Sequence, residues 1–133
     1  MANEPVLVDT SCWIEYFNRP GTQGATVVED AVREDQAALT GIVLAELSQR
    51  ARNEAELSRL RAALGAVRWV AATREVHERA GGIGFELRRR GVTVPITDCV
   101  IAAAAESIGG FILTLDSHFE EISEVSTLTV MSG

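Results

Sequence analysis

VLVDTSC, residues 6–12, runs three apolar side chains straight into a carboxylate, Asp9, and then into a hydroxyl pair. Residues 6–9, opening on Val6, Leu7 and Val8, read as a buried first strand. A carboxylate at the edge of such a core is costly unless something pairs with it. Asp9 therefore either caps the helix that follows or holds something positive. Thr10 and Ser11 are equally good caps in the same place, so a cap alone does not require an aspartate there.

Outward from that strand the chain alternates. Residues 10–18 read as a short helix carrying Trp13, Ile14 and Phe17, stopped by Arg19-Pro20-Gly21. An amphipathic helix is expected over 26–34, a second strand over 37–40, helices over 41–51 and 53–64, and a third strand over 67–71. A helix over 74–90 contains Gly81, Gly82 and Gly84, which weaken or bend it. An alanine-rich helix over 97–108 ends at Gly109-Gly110. A buried strand over 111–115 and a last strand over 128–131 complete the pattern. Strands alternating with helices imply an α/β fold with a mostly parallel sheet between helix layers. Ligands of such folds bind beyond the carboxyl ends of the strands. Two expected strands end on or next to aspartates, Asp9 and Asp116, which puts both on that edge.

The 133 residues, 47% of them hydrophobic, suit one domain with a real core and are not a disorder composition. No apolar run has membrane-span length, and MANEPVLVD lacks the basic and apolar regions of a signal peptide. Cys12 and Cys99 are too few for a disulfide framework and read as small buried hydrophobes. A cytoplasmic protein is the expectation. A net charge of −7 argues against bulk electrostatic attachment to nucleic acid, though not against a local basic patch. All twelve basic residues are arginine, so any mechanism that requires lysine is excluded.

Four acids stand out. Asp9 follows the first strand. Asp116 follows Leu113-Thr114-Leu115; Ser117 and Glu120 have capping-box spacing, which would leave Asp116 without a capping role. Thr114 shares a strand face with Asp116 and could orient its carboxylate. Asp98 caps the alanine-rich helix or extends its apolar face, in line with Ile101, Ala102 and Ala105. Glu46 lies in an apolar helix start and pairs with Arg50 or does something more, since an i,i+4 surface pair is worth only about 0.3–0.5 kcal/mol. If the four converge they cannot stand bare: two carboxylates ~4 Å apart repel by roughly 4 kcal/mol at an effective dielectric of 20. Either some are protonated or a cation sits among them. Oxygen donors without His or Cys at ligand spacing favour Mg²⁺ or Mn²⁺ over zinc, and such a site suits phosphodiester hydrolysis.

VLVDTSCWIEYF at 6–17, TGIVLAEL at 40–47, RRRGVTVPITDCVIAAAA at 88–105 and FILTLDSHFEEI at 111–122 resemble the PIN domain. More narrowly they resemble the VapC toxins of bacterial toxin–antitoxin pairs. The resemblance runs from Val6 to about Met131. It implies one PIN-like domain over 1–133, a three-layer α/β/α fold with a small, mostly parallel central sheet. It implies an endoribonuclease dependent on Mg²⁺ or Mn²⁺ that cleaves RNA phosphodiester bonds. The family's four metal-binding and catalytic acids fall on Asp9, Glu46, Asp98 and Asp116. Its supporting hydroxyl matches Thr114, with Thr10 and Ser11 as further candidates. Relatives form homodimers and are inhibited by a VapB-type antitoxin whose tail blocks the toxin's groove. Many relatives carry another acid two residues after the fourth; here His118 stands there, read as an exposed or capping histidine that could instead assist the site.

Arg88-Arg89-Arg90 is either a phosphate-contacting patch or a solvated helix end. Trp13 and Phe17 are either core or the lining of a groove for an antitoxin helix. Haloacid-dehalogenase-type phosphatases and receiver domains also end a strand on Asp, but both rely on a lysine, which this chain lacks. The remaining rival is a PIN-like module that binds a partner and has lost its nuclease.

Overall fold

A computed structural model describes residues 4–132; residues 1–3 and 133, the ends of the expected domain, lie outside the described residues. Five strands form one sheet: β1 (Val6–Val8), β2 (Ala37–Thr40), β3 (Arg68–Val70), β4 (Phe111–Thr114) and β5 (Thr129–Ser132). Their order is β3-β2-β1-β4-β5, and every pairing is parallel. Leu7 lies opposite Ala38 on one side and Ile112 on the other, so the central strand is the apolar triplet of the N-terminal motif. The helices are α1 (Thr10–Asn18), α2 (Gln23–Arg33), α3 (Gly41–Gln49), α4 (Glu54–Leu64), α5 (Arg74–Arg89), α6 (Ile96–Glu106) and α7 (His118–Ser123). The architecture is the expected α/β/α arrangement, with an all-parallel sheet. No helix among the described residues is long and apolar enough to cross a membrane.

Local chemistry explains most boundaries. α2 starts three residues earlier than the apolar pattern suggests, because the Thr22 hydroxyl accepts from Ala25 N–H and caps it there. α5 runs unbroken through its glycines. Val76, Ala80, Ile83 and Leu87 form a buried stripe that holds it down, and such packing outweighs propensity. α6 packs against β1 and β4 with Ala102, Ala103, Ala104 and Ala105 all buried. Their small side chains let the helix lie close on the sheet. Gly110 follows at φ +90°, where a Cβ would come within 2.7 Å of the Thr127 carbonyl oxygen; only glycine fits there.

Three strands are shorter than expected, β1 ending at Val8 rather than Asp9. β4 ends at Thr114, so Leu115 is exposed rather than buried. β3 is an edge strand with Arg68 and Trp69 in solvent, and it pairs only over 68–70. Cys12 and Cys99 are free and buried, as expected.

Candidate functional site

The strand order places the site. From β1 the chain passes to β2 on one side, while β4 lies on the other, so the crevice opens beyond the carboxyl ends of β1 and β4. Asp9 follows β1 directly and is 4% exposed. Its N–H bonds the Leu113 carbonyl at 2.9 Å, which continues the β1–β4 ladder by one residue. Its own carbonyl accepts from Cys12 and Trp13 N–H, so the backbone begins α1 while the carboxylate makes no capping bond. That removes the capping explanation for Asp9.

The carboxylate is instead held by hydroxyls. Ser11 Oγ and Thr114 Oγ1 each donate to Asp9 Oδ2, both at 2.9 Å. Thr114 Oγ1 also accepts from Asp116 N–H at 2.9 Å, and Ser11 Oγ from Leu115 N–H at 3.0 Å. The expectation that Thr114 orients the Asp116 carboxylate is thus corrected. A hydroxyl has one proton to give; it goes to the buried Asp9 carboxylate, and only the backbone of Asp116 is held through the lone pair.

Asp116 differs from expectation in a second way. Ser117 makes no capping bond, because it has helical backbone angles and a capping residue needs extended ones. The Asp116 carboxylate takes that place: its Oδ1 accepts from His118 N–H at 2.9 Å. Asp98 lies in the first turn of α6 but is not its cap, which is Pro95; Asp98 is 8% exposed. Its Oδ2 meets His118 Nδ1 at 2.9 Å, and the same nitrogen stands 3.2 Å from Asp116 Oδ1. His118 is therefore neither a free surface histidine nor a side-chain cap. Of the two readings of Glu46, the pair with Arg50 does not form. Glu46 accepts from Thr10 Oγ1 at 2.6 Å, the residue next to Asp9.

The closest grouping is thus Asp98, Asp116 and His118, with one donor atom from each within 4.8 Å of the others. Asp9 lies close enough to bear on Asp98 electrostatically, and Glu46 is tied to the same edge through Thr10. Burial pushes the Asp98 carboxyl up to about 6; Asp116 and Asp9 add to this, and the His118 hydrogen bond opposes it. The His118 imidazole is raised, chiefly by its hydrogen bond to Asp98 and then by the charge of Asp116. Among the described residues no arginine pairs with Asp9, Glu46, Asp98 or Asp116; the arginine ion pairs lie elsewhere. Carboxylate oxygens gathered at one sheet edge, with no cationic side chain but one histidine, fit a hard divalent cation.

Two further features lie outside this edge. A cleft of about 820 Å³ runs between α1, α3 and α4, lined by Ile14, Phe17, Leu47 and Leu60 with Arg50 and Arg59 at its margin. Trp13 is core, fully buried and stacked on Phe17, while Phe17 is half-buried and reaches the cleft. The 88–90 arginine run lies exposed at the end of α5, where Arg89 pairs with Glu86 and lies over the Phe85 ring.

Residues 6–125 match the PIN domain family. Ribonuclease VapC51 of Mycobacterium tuberculosis is 37% identical over 123 residues, covering 90% of this chain and 86% of that protein. Ribonuclease VapC11 of the same organism is 30% identical over 131 residues, covering 96% and 98%. The crystal structure of VapBC2 from Rickettsia felis, bound to a promoter DNA fragment, shares the fold. Its TM-score is 0.79 at 20% identity, with 96% of this chain and 97% of that chain covered.

Proposed function

The chain belongs to the PIN domain family and stands among its VapC ribonucleases, and from that premise we propose that it is a divalent-metal-dependent endoribonuclease. It acts as the toxin of a toxin–antitoxin pair, as one domain over residues 1–133, working in the cytoplasm as a homodimer. The observation that carries the metal site is the company of Asp98. A buried carboxyl, pushed up to about 6, faces two more acids and no arginine. Such a group gains most from a bound cation.

Asp9, Asp98, Asp116 and Glu46 would hold Mg²⁺ or Mn²⁺. The chemistry supplied on binding is neutralisation of the scissile phosphate and activation of a water as nucleophile. The chain's own residues do the positioning. Ser11 and Thr114 both donate to Asp9 Oδ2, which orients the carboxylate without a bound ion and leaves Oδ1 for one. Thr10 holds Glu46 toward the same edge. Thr114 also ties Asp116 to β4 through its N–H, so the acids from β1 and β4 share one rigid support.

The partner reading rests on the cleft between α1, α3 and α4. Its apolar floor and arginine margin suit an amphipathic antitoxin helix with acidic flanks. Exposed Phe85 and Ile96, on the packed pair α5 and α6, support a second copy on that side.

The test is incubation of total bacterial RNA with the purified protein in Mg²⁺ or Mn²⁺ and in EDTA, beside Asp9→Asn. Discrete fragments that need both the metal and Asp9 are expected. A folded protein that neither cleaves nor binds metal would instead be the partner-binding module.

A further inference from the structure

We propose that His118 is itself a ligand of the ion held by Asp98 and Asp116, and that through it the site binds Mn²⁺ in preference to Mg²⁺. This rests on the metal-centre reading above and specifies which ion that centre selects.

The geometry is already that of neighbouring ligands. His118 Nδ1 stands 2.9 Å from Asp98 Oδ2 and 3.2 Å from Asp116 Oδ1. Adjacent donors of an octahedral ion bound at about 2.1 Å are separated by about 3.0 Å. The imidazole is also anchored. His118 opens α7, and its own N–H is held by Asp116 Oδ1. The next residue, Phe119, is fully buried and fixes the helix against the core. The ring is thus aimed at the acids by the backbone and by the core beneath it.

The donor type then sets the preference. Carboxylates and water serve Mg²⁺ and Mn²⁺ alike, but an imidazole nitrogen favours the transition ion and adds little for magnesium. Without an ion, the same geometry is an Nδ1–H hydrogen bond to Asp98. Ligation needs the neutral tautomer with its proton on Nε2, leaving the Nδ1 lone pair for the ion. An acid at this position would give an all-oxygen site without that bias.

The deciding experiment is electron spin-echo spectroscopy of Mn²⁺ added to the whole protein, with Mn²⁺/Mg²⁺ competition measured on wild type, His118→Gln and His118→Asp. Wild type is expected to show the ¹⁴N modulation of a directly bound imidazole, and His118→Gln to lose it. The preference for Mn²⁺ should fall by about tenfold or more in His118→Gln, and His118→Asp should move it further toward Mg²⁺. Bound Mn²⁺ without ¹⁴N modulation in the wild type overturns the proposal and leaves the metal centre standing. Modulation that persists in His118→Gln does the same, since it would come from another nitrogen. If the folded wild type binds no Mn²⁺ at all, the metal-centre reading itself fails. Loss of the modulation in His118→Asp serves the same purpose if His118→Gln does not fold.

Discussion

Helix α6 carries one carboxylate in its first turn, Asp98, and another at its last residue, Glu106. The helix dipole favours an acid at the first place and opposes one at the second. The two acids are shifted the other way. Glu106 is held below its ordinary range, first by its hydrogen bonds with Arg79 and then by Thr127. Arg79 donates at 2.7 and 3.0 Å, Thr127 N–H at 2.8 Å and the Thr127 hydroxyl at 3.1 Å. Asp98 is raised, because burial and then the charges of Asp116 and Asp9 outweigh its hydrogen bond to His118. A dipole contribution of about 0.3–1 kcal/mol is smaller than either local environment. The contrast separates two uses of an acid on one helix. Glu106 is saturated and ties α6 to α5 and to the loop before β5. Asp98 is left short of positive charge at the one edge where the sheet topology opens a crevice.

The largest expected effect follows from that difference. Asp98→Asn should lower RNA cleavage by more than a hundredfold, since even outer-shell partners of metal ligands are worth about 10–100-fold. In EDTA the same variant should melt at or above the wild-type temperature, because it removes a charge that burial disfavours. Glu106→Gln should behave in reverse, with cleavage kept and melting temperature lowered. Equal losses of stability in both variants would erase the distinction between them.

Acidity sharpens the comparison next. A carboxyl raised from 3.8 to about 6 holds more protons in the folded state than in the unfolded one. Stability of the ion-free protein therefore falls as pH rises from about 4 through 6, by up to about 3 kcal/mol for a gap of roughly two pH units. His118 acts in the same direction. Its raised pKa gives stability that is fully present below 6.5 and is lost as pH rises through the folded value. Glu106 runs oppositely and lower. Its contribution is present above 4.5 and is lost as pH falls through its depressed value. The check is the melting difference between Asp98→Asn and wild type in EDTA, which should widen in favour of the variant from pH 5 to pH 8. Added Mn²⁺ should remove that advantage at pH 8. A difference independent of pH would mean that Asp98 is not held above its ordinary range.

Truncating Glu106 comes third. Glu106→Gln leaves Arg79 without its ionic partner and should cost about 1–3 kcal/mol. Arg79 is half in water, so the lower part of that range is expected. Thermal unfolding at pH 7 measures it.

Much of this contrast could be read in the chain before any coordinates. The apolar triplet before Asp9, the alanine run of α6 and the strand–aspartate pattern at 111–116 carry strong local signals, and each matches an observed element. All four acids stand out in the sequence, because a carboxylate at a strand end or on an apolar helix start has little local use. What stayed hidden was pairing across the sequence. Whether Thr114 serves Asp116 or Asp9 depends on a contact 105 residues away along the chain. The sequence leaves His118 between a surface or capping role and a role in the site, because nothing near it in sequence orients its ring; Asp98, twenty residues earlier, does so. Glu46 offered Arg50 at helical spacing but takes Thr10 instead, a choice made by how α3 packs on α1. The edge-strand character of β3 was equally illegible, since strand order is decided by crossovers rather than by composition.

The smallest effect tests the support of Glu46. Thr10 donates to Glu46 at 2.6 Å, in a half-buried place that water can reach. Thr10→Val keeps the side-chain shape and removes the proton. The net cost of one such bond is about 0.5–1.5 kcal/mol, and here little of it should show as lost stability, because the freed carboxylate can turn to solvent. It should show in function instead: weaker Mn²⁺ binding and cleavage reduced by a few-fold, with the melting temperature nearly unchanged. Glu46→Gln, which keeps an oxygen to accept from Thr10 but loses the charge, should reduce cleavage more than Thr10→Val does. If instead Thr10→Val lowers stability and leaves metal affinity intact, Glu46 belongs with Glu106 as a structural acid, and the site narrows to the strand-end pair with Asp98.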